Sequence, residues 1–192
     1  MAKTDPEAAR RQRRKTIRWV VTVFLITVVI SGIISLVSDE VMDNSSLPVA
    51  FLILLAIVMV GIVFDIIGMA VASADEKPFH SMAARKVPGA QEAIRLLRNA
   101  ERVSSICNDV VGDICGVVSG SASATIAALI LTQVDVGWPR GVSLVMSALV
   151  AGLTVGGKAI GKTFAVNSCT QIVHTVGKVL HALNGLHGKK KK

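Results

Sequence analysis

Two aspartates lie inside a segment that is otherwise apolar enough to cross a membrane. Asp109 and Asp113 are four residues apart within Ile106 to Ala124, so on a helix they share one face. A carboxylate costs roughly 3 kcal/mol or more at bilayer depth, and acidic residues there usually face the protein interior and mark a site or a pathway. This pair is therefore the first candidate for chemistry in the chain.

Two more charged residues interrupt neighbouring apolar segments. Asp65 is the single charge in Leu47 to Ala74, and Lys158 follows 17 uncharged residues that begin at Gly141. Because a hard cation such as Mg²⁺ prefers carboxylate, carbonyl and water oxygens, carboxylates on converging helices predict a divalent-cation site. The predicted metal ligands are Asp65, Asp109 and Asp113, with neutral oxygens from Asn108, Thr154, Ser73, Ser104 and Ser105.

The direction of Lys158 decides between different sites. As a lysine near the end of its apolar segment, it can extend to the lipid headgroups. Alternatively it pairs with Asp113 or Asp109 in the place of a cation, which would make the cluster a structural ion pair or a proton relay. Asp65 also has a second interpretation, as a residue facing a watery vestibule at the membrane edge.

Small residues repeat at every fourth position beside these charges. The two rows are Gly112, Gly116, Gly120 and Ala124 in one segment and Gly152 and Gly156 in the next. Such rows let membrane helices pack closely. We expect Gly112, Gly156 and Gly157 to shape or gate the site, since a glycine pair weakens a helix and can free its carbonyls. The other glycines of the rows are predicted to pack helices.

The composition indicates a membrane protein. Of the 192 residues, 52% are hydrophobic and 18% are charged, and the mean hydropathy is +0.60. A chain of this composition is too apolar for an ordinary soluble domain. The net charge of +8 does not indicate nucleic-acid binding, because the bases lie in tails and loops and the aromatic content of 4% is too low for base stacking.

The motifs of common enzymes and zinc sites are missing from the sequence. Cys107, Cys115 and Cys169 form no C-x-x-C pair, and the four histidines lack close metal-ligand spacing. There is no nucleophile elbow, no G-x-x-x-x-G-K-[ST] loop and no H-E-x-x-H motif. We therefore expect a protein that is not an enzyme.

The predicted fold class is an all-α membrane protein. It has four transmembrane helices, an amphipathic helical hairpin at the inner face and a C-terminal amphipathic helix, since about 20 apolar residues cross a hydrocarbon core of about 30 Å. The predicted divisions are a basic tail at 1–18, an extra N-terminal transmembrane helix at 19–37, a three-helix core at 47–162 with a juxtamembrane hairpin at 75–102, and an amphipathic helix with a polybasic tail at 163–192.

The charges of the loops predict the orientation. Of the 21 Lys and Arg residues, only Arg140 falls in a loop assigned to the outside, whereas Ser38 to Ser46 holds three acids and no base. We therefore expect a multi-pass protein of the cell membrane with both termini in the cytoplasm.

Two segments outside the spans have amphipathic patterns. The hairpin is split by Pro88-Gly89, and its second half carries an apolar stripe opposite Arg95 and Arg98. It either lies on the inner membrane face or packs on the protein as a charged helix, and the two interpretations are compatible. Apolar residues also alternate at steps of three and four in the last helix, at Cys169, Val173, Val176, Leu180 and Leu183.

Three short stretches occur in the order typical of one family. They are FDIIGMAVASADEKPFHSMA from Phe64, AIRLLRNAERVSSICNDVVGD from Ala93, and GKAIGKTFA from Gly157. They resemble, respectively, that family's F-S-A-x-E-T-A-L entry into a cytoplasmic hairpin, its Gly-Asn step in the next span, and its G-E-x-x-P-K-x-x-A ending of the last span. The resemblance, over about Leu47 to Leu183, is to the membrane domain of the cyclin-M/CorC family, which is associated with Mg²⁺ and Co²⁺ transport.

The resemblance implies a Mg²⁺ site between the second, third and fourth spans, with Mg²⁺ as a transported ion. It carries the family's serine position to Asp65, its asparagine position to Asp113, a preceding serine to Asp109, its glutamate to Lys158 and its proline to Gly161. Three positions thus gain a carboxylate and one exchanges an acid for a base. The resemblance also implies a homodimer. Because the family's nucleotide-sensing domains do not follow, we expect no regulation through them.

Three functions follow from these observations. The first is transport or homeostasis of a divalent cation, Mg²⁺ or Co²⁺. The second is a membrane scaffold that does not transport, and whose basic ends, RRQRRK and KKKK, bind anionic lipid at the inner face or recruit a partner, at about 1 kcal/mol per base. The third is proton or cation exchange through an intramembrane Asp-Lys pair.

Overall fold

The computed structural model describes residues 6–43, 45–134 and 137–188, and this part of the chain is helical without strands. Its elements are α1 (Pro6–Asp43), α2 (Leu47–Ser73), α3 (Lys77–Ala84), α4 (Ala90–Arg98), α5 (Ala100–Ser105), a π-helical segment (Ile106–Gly112), α6 (Asp113–Gln133), α7 (Pro139–Asn167) and α8 (Cys169–Gly188). The prediction of an all-α fold is confirmed. The KKKK end, 189–192, lies outside the described residues.

Four helices are long and apolar enough to span a membrane, as predicted. They are Thr16–Ser38, Leu47–Ser73, Ala100–Gln133 and Pro139–Asn167. The third combines α5, the π-helical segment and α6 into 34 residues, which is well above the 20 or so that a bilayer requires. These four helices indicate a multi-pass membrane protein.

The transmembrane core is formed by α2, α6 and α7. Leu54 and Val58 of α2 pack against Ile126 of α6 and Val150 of α7, and all four are buried. Large apolar side chains on the opposite faces remain exposed, with Ile160 at 76%. Because hydrocarbon is as apolar as these side chains, such an exterior is compatible with direct contact with lipid.

Helix α1 lies at the edge of this core. Val23 packs against the buried Val110, Ile114 and Val118 of the third span, while no residue is buried in the most apolar window of the Thr16–Ser38 span. The helix begins at Pro6, ahead of the predicted transmembrane segment at 19–37, because the polar segment EAARRQRRK is made of strong helix formers. The Arg102 guanidinium stacks 5.9 Å from the centre of the Trp19 ring and connects α1 to α5.

The short helices pack beneath the core at one end, which we call the α8 end. Phe79 of α3, Ala93 of α4 and Val173 of α8 are fully buried against Val71 of α2. The predicted break at Pro88-Gly89 lies between Ala84, where α3 ends, and Ala90, where α4 begins. The α4 segment therefore packs on the protein itself.

The α8 helix crosses the turn before α4 with the two backbones in contact. Gly89 has a φ of 84°, and a Cβ at Gly177 would collide with the Gly89 carbonyl oxygen. Gly89 must be glycine because of its positive φ, and both positions must be glycine because the two backbones leave no space for a Cβ. This contact fixes α8 to α4, and α8 begins at Cys169, later than the predicted residue 163.

Candidate intramembrane ion site

Asp65 is a buried carboxylate on a membrane-spanning helix, with 5% of its surface exposed. It lies about 27 Å along α2 from Leu47, and Lys158 lies about 29 Å along α7 from Pro139. Both helices start at the end opposite α8. The two side chains are therefore at a similar level along the helix bundle, in the half toward α8.

The Lys158 ammonium faces inward. Its Nζ lies 3.6 Å from Asp65 Oδ1 and donates a long hydrogen bond of 3.5 Å to the Gly112 carbonyl oxygen. Two directions were expected for the Lys158 side chain, and in the structure it points into the protein and not toward the lipid headgroups. Its partner is Asp65, whereas the sequence suggested Asp109 or Asp113.

Glycines bring the three helices close together around this pair. A Cβ at Gly112 would lie 3.3 Å from both Asp65 Oδ1 and Lys158 Nζ, which is tighter than an ordinary contact. On α7, a Cβ at Gly157 would collide with Ile62 of α2, and one at Gly161 would lie 2.8 Å from Ile66. Gly112 and Gly157 therefore lie where the helices approach most closely beside the pair, and their predicted role in shaping or gating an ion site stays a prediction.

Two buried oxygens of the second and third spans have no hydrogen-bond donor among the described residues. They are Asp65 Oδ2, in the ion pair, and Asn108 Oδ1. The Asn108 amide donates to Ser104 Oγ at 3.3 Å, and its oxygen fills the space that a side chain on Gly68 would occupy. A buried acceptor without a donor is costly, by about 1 to 3 kcal/mol, so each oxygen is suited to receive a donor such as water.

Asp109 and Asp113 do not join Asp65. Both are exposed, and Asp109 Oδ2 accepts a 2.8 Å hydrogen bond from Ser105 Oγ. Within the described residues, no three His, Cys, Asp or Glu side chains come together as metal ligands. The three predicted carboxylates are therefore separated. Asp65 is buried among the helices, whereas Asp109 and Asp113 are exposed.

The remaining predicted positions lie away from the ion pair. The Thr154 hydroxyl donates to the Val150 carbonyl oxygen at 2.8 Å, within its own helix. A Cβ added at any glycine of the exposed rows would meet no described atom within 4 Å, at Gly116, Gly120, Gly152 and Gly156. Within the described residues, no helix packs closely against these four glycines.

The sequence interpretation missed the glycines on either side of Asp65. Gly61 and Gly68 lie four residues before it and three after it, on the same helical face, against Cys115 and Asn108. That spacing was visible in the sequence and would have indicated a helix contact at Asp65. The π-helical segment has no comparable sequence signal, since Ile106–Gly112 contains only residues that an α-helix also accepts.

A second polar contact joins α4 and α8. His181 Nδ1 lies 2.9 Å from Glu92 Oε1, and this hydrogen bond lowers the pKa of Glu92 below its ordinary value, against the opposing effect of burial. This pair lies outside the spans. It stabilises the α8 end without any contact to Asp65 or Lys158.

The site combines one buried carboxylate, one inward ammonium and a backbone carbonyl. Oxygen acceptors of this kind are also the type that hard cations prefer. No protein-family model, curated protein or solved structure matches this chain.

Proposed function

We propose that this protein transports cations across a membrane and that Asp65 is the residue that binds them. The observation that supports this proposal is the buried Asp65 carboxylate, with one oxygen facing the Lys158 ammonium and the other without a donor in the described part of the chain. Charged residues inside spans are costly and usually belong to ion or substrate pathways. The expected substrates are divalent cations, Mg²⁺ or Co²⁺, in line with the family resemblance.

In this mechanism, the ammonium and the cation compete for the same oxygens. Lys158 keeps Asp65 neutralised while no cation is bound, which avoids an unpaired charge in a medium of low dielectric. Its four-carbon stem is flexible and lies near the α8 edge of the core, so the ammonium can move out to the headgroup region when a cation enters. The Gly112 carbonyl, which Lys158 then releases, is available as a ligand.

The surroundings of the site belong to the same proposal. We infer that the α8 end faces the cytoplasm of a cell-membrane protein, since Lys77, Arg85 and Lys178 are among the exposed bases there. These bases would attract anionic lipid. Gly116 and Gly120 of α6 and Gly152 and Gly156 of α7 would allow a homodimer, because a Cβ at these positions would meet no described atom within 4 Å.

The test is ion flux into proteoliposomes. We expect Asp65→Asn to abolish Mg²⁺ and Co²⁺ uptake, since the amide keeps the shape and removes the charge. Asp113→Asn is the matched control, because it makes the same change to an exposed carboxylate, and uptake should stay near that of the wild type. Equal uptake by Asp65→Asn and the wild type would refute the proposal.

A second function, proton-coupled exchange, is favoured by the Lys158 contact itself. If the ammonium must lose its proton before the cation binds, uptake should release protons and should rise with pH. Lys158→Arg would then abolish exchange, because a guanidinium does not deprotonate in proteins. Measuring lumenal pH during Mg²⁺ uptake separates the two functions, since simple displacement of a charged lysine moves no protons.

A further inference from the structure

We propose that the cleft between α8 and the turn joining α3 to α4 binds a phosphate group, which then holds α8 against α4. The cleft has a volume of about 230 Å³. It lies outside the membrane spans and neither Asp65 nor Lys158 lines it, so the inference is independent of the proposed cation site. Because one water takes up about 30 Å³ in the liquid, the cleft has room for a phosphate with bound water. Its polar and charged lining residues are Lys86, Gln91, Glu92 and His181.

Lys86 has a backbone conformation that suits glycine better. Its φ is 58°, in the left-handed region, just after the C-terminal end of α3. The Lys86 N–H donates to the Ala83 carbonyl oxygen at 2.9 Å. The Val87 N–H donates to that of Met82 at 3.0 Å, which completes a helix ending that usually has glycine at the left-handed position. Since glycine would make this turn with less strain, the turn itself does not require a lysine, and the ammonium is available to the cleft.

His181 lines the cleft from α8. Its Nδ1 lies 2.9 Å from Glu92 Oε1, and this hydrogen bond lowers the pKa of Glu92, which is therefore ionised at neutral pH. Because an ionised carboxylate only accepts hydrogen bonds, the contact places a proton on Nδ1 and orients the ring. On the other side of the ring, Nε2 carries a second proton when the imidazole is charged, and it can donate this proton to an anion.

The charges of the cleft favour an anion. Glu92 is the only acid among its lining residues, and its carboxylate is bound to His181. Lys178 lies three residues before His181, on the same side of α8, and its backbone packs on Gly89 of the cleft. Several oxygens of one phosphate can accept hydrogen bonds from charged donors, and such bonds are stronger than neutral ones. One phosphate can therefore bind Lys86 and His181 together.

A phosphate in this position connects two elements. Lys86 belongs to the turn after α3, whereas His181 belongs to α8 and lies one turn beyond the contact of Gly177 with Gly89. The anion thus adds a second link to the hydrogen bond between His181 and Glu92. Its source is either a lipid headgroup or a water-soluble phosphate, because both carry the group that the cleft binds.

The experiment measures how fast a protease releases the C-terminal segment from the full chain in phosphatidylcholine nanodiscs. One arm adds phosphatidic acid to the nanodiscs, and the other adds inorganic phosphate to the buffer. We expect at least one of them to slow the release several-fold, because the bound phosphate links α8 to the turn. Protection by phosphatidic acid alone identifies a lipid headgroup as the source, whereas protection by inorganic phosphate shows that a soluble phosphate suffices. Protection by neither would overturn the inference.

Lys86→Asn removes the ammonium and keeps the turn, since asparagine also adopts the left-handed conformation. It should abolish the protection, while the melting temperature without phosphate stays at or above that of the wild type. Arg85→Asn is the matched control, because it removes the same charge from the neighbouring exposed residue, which does not line the cleft. Its protection should match that of the wild type.

His181→Asn tests the α8 side of the cleft. The asparagine amide can still donate to Glu92 but has no counterpart of Nε2, so the protection should fall several-fold. If Lys86→Asn and Arg85→Asn lost the protection equally, the phosphate would act through general charge and the assigned cleft would be wrong. Full protection in both Lys86→Asn and His181→Asn would lead to the same conclusion.

Discussion

At the scale of residues, the Asp65–Lys158 pair is the one contact on which both stability and the proposed transport depend. The carboxylate is 6% exposed and the lysine side chain 22%. Removing one partner of a buried ion pair leaves the other charge uncompensated, which costs more than removing both. Stability measurements can therefore test the pairing without any flux assay.

We expect Lys158→Met to lower the free energy of unfolding by about 3 kcal/mol, the lower end of the usual range because the lysine keeps some exposure. The double variant Asp65→Asn/Lys158→Met should recover most of this loss. Lys162→Met, at an exposed position one turn further along α7, is the control and should change little. Thermal unfolding in detergent measures all four proteins, and a double variant no more stable than Lys158→Met would argue against the pair.

The Glu92–His181 contact predicts a dependence on pH at the α8 end. Because the hydrogen bond from His181 lowers the pKa of Glu92 below its ordinary value, its contribution is present above the ordinary pKa of a glutamate and is lost as the pH falls through the lowered pKa. The difference in melting temperature between wild type and Glu92→Gln should thus be larger at pH 6 than below pH 4. A constant difference across this range would show that Glu92 acts only through packing.

At the scale of elements, the crossing of α8 over the turn before α4 depends on the absence of a side chain. A Cβ at Gly177 would collide with the Gly89 carbonyl oxygen, so Gly177→Ala should destabilise the α8 end by about 1 to 3 kcal/mol. Gly152→Ala, where a Cβ would meet no described atom within 4 Å, is the matched control. Protease digestion in detergent should release the C-terminal segment faster from the first variant only.

The elements also show which features a sequence can predict. The four spans, the break at Pro88-Gly89 and the candidate charges follow from hydropathy, proline and the cost of a buried carboxylate. The partner of Lys158 did not follow, because it depends on which faces α2, the third span and α7 turn toward one another. Asp109 and Asp113 share a face on a regular helix, but that periodicity could not show whether the face was inner or outer.

At the scale of the whole molecule, α1 is the long helix that contributes no residue to the proposed site. It contacts the third span through Val23 and the Trp19–Arg102 stack. The ion pair is formed entirely by α2, the π-helical segment and α7. In a bilayer, lipid can replace the apolar contacts that α1 makes, because the hydrophobic effect does not drive helices together there.

We therefore expect a chain that begins at Asn44 to fold in detergent and to retain Asp65-dependent Mg²⁺ uptake. Its helical content by circular dichroism should fall by the share that α1 contributes, and Lys158→Met should destabilise it as much as the full chain. Aggregation of the shortened chain, or loss of uptake while the helical signal of the other spans is kept, would show that α1 supports the site through its contact with the third span. The Arg102→Ala variant of the full chain removes the Trp19 stack and leaves the Val23 contact in place. It therefore shows which of the two contacts of α1 supports the site.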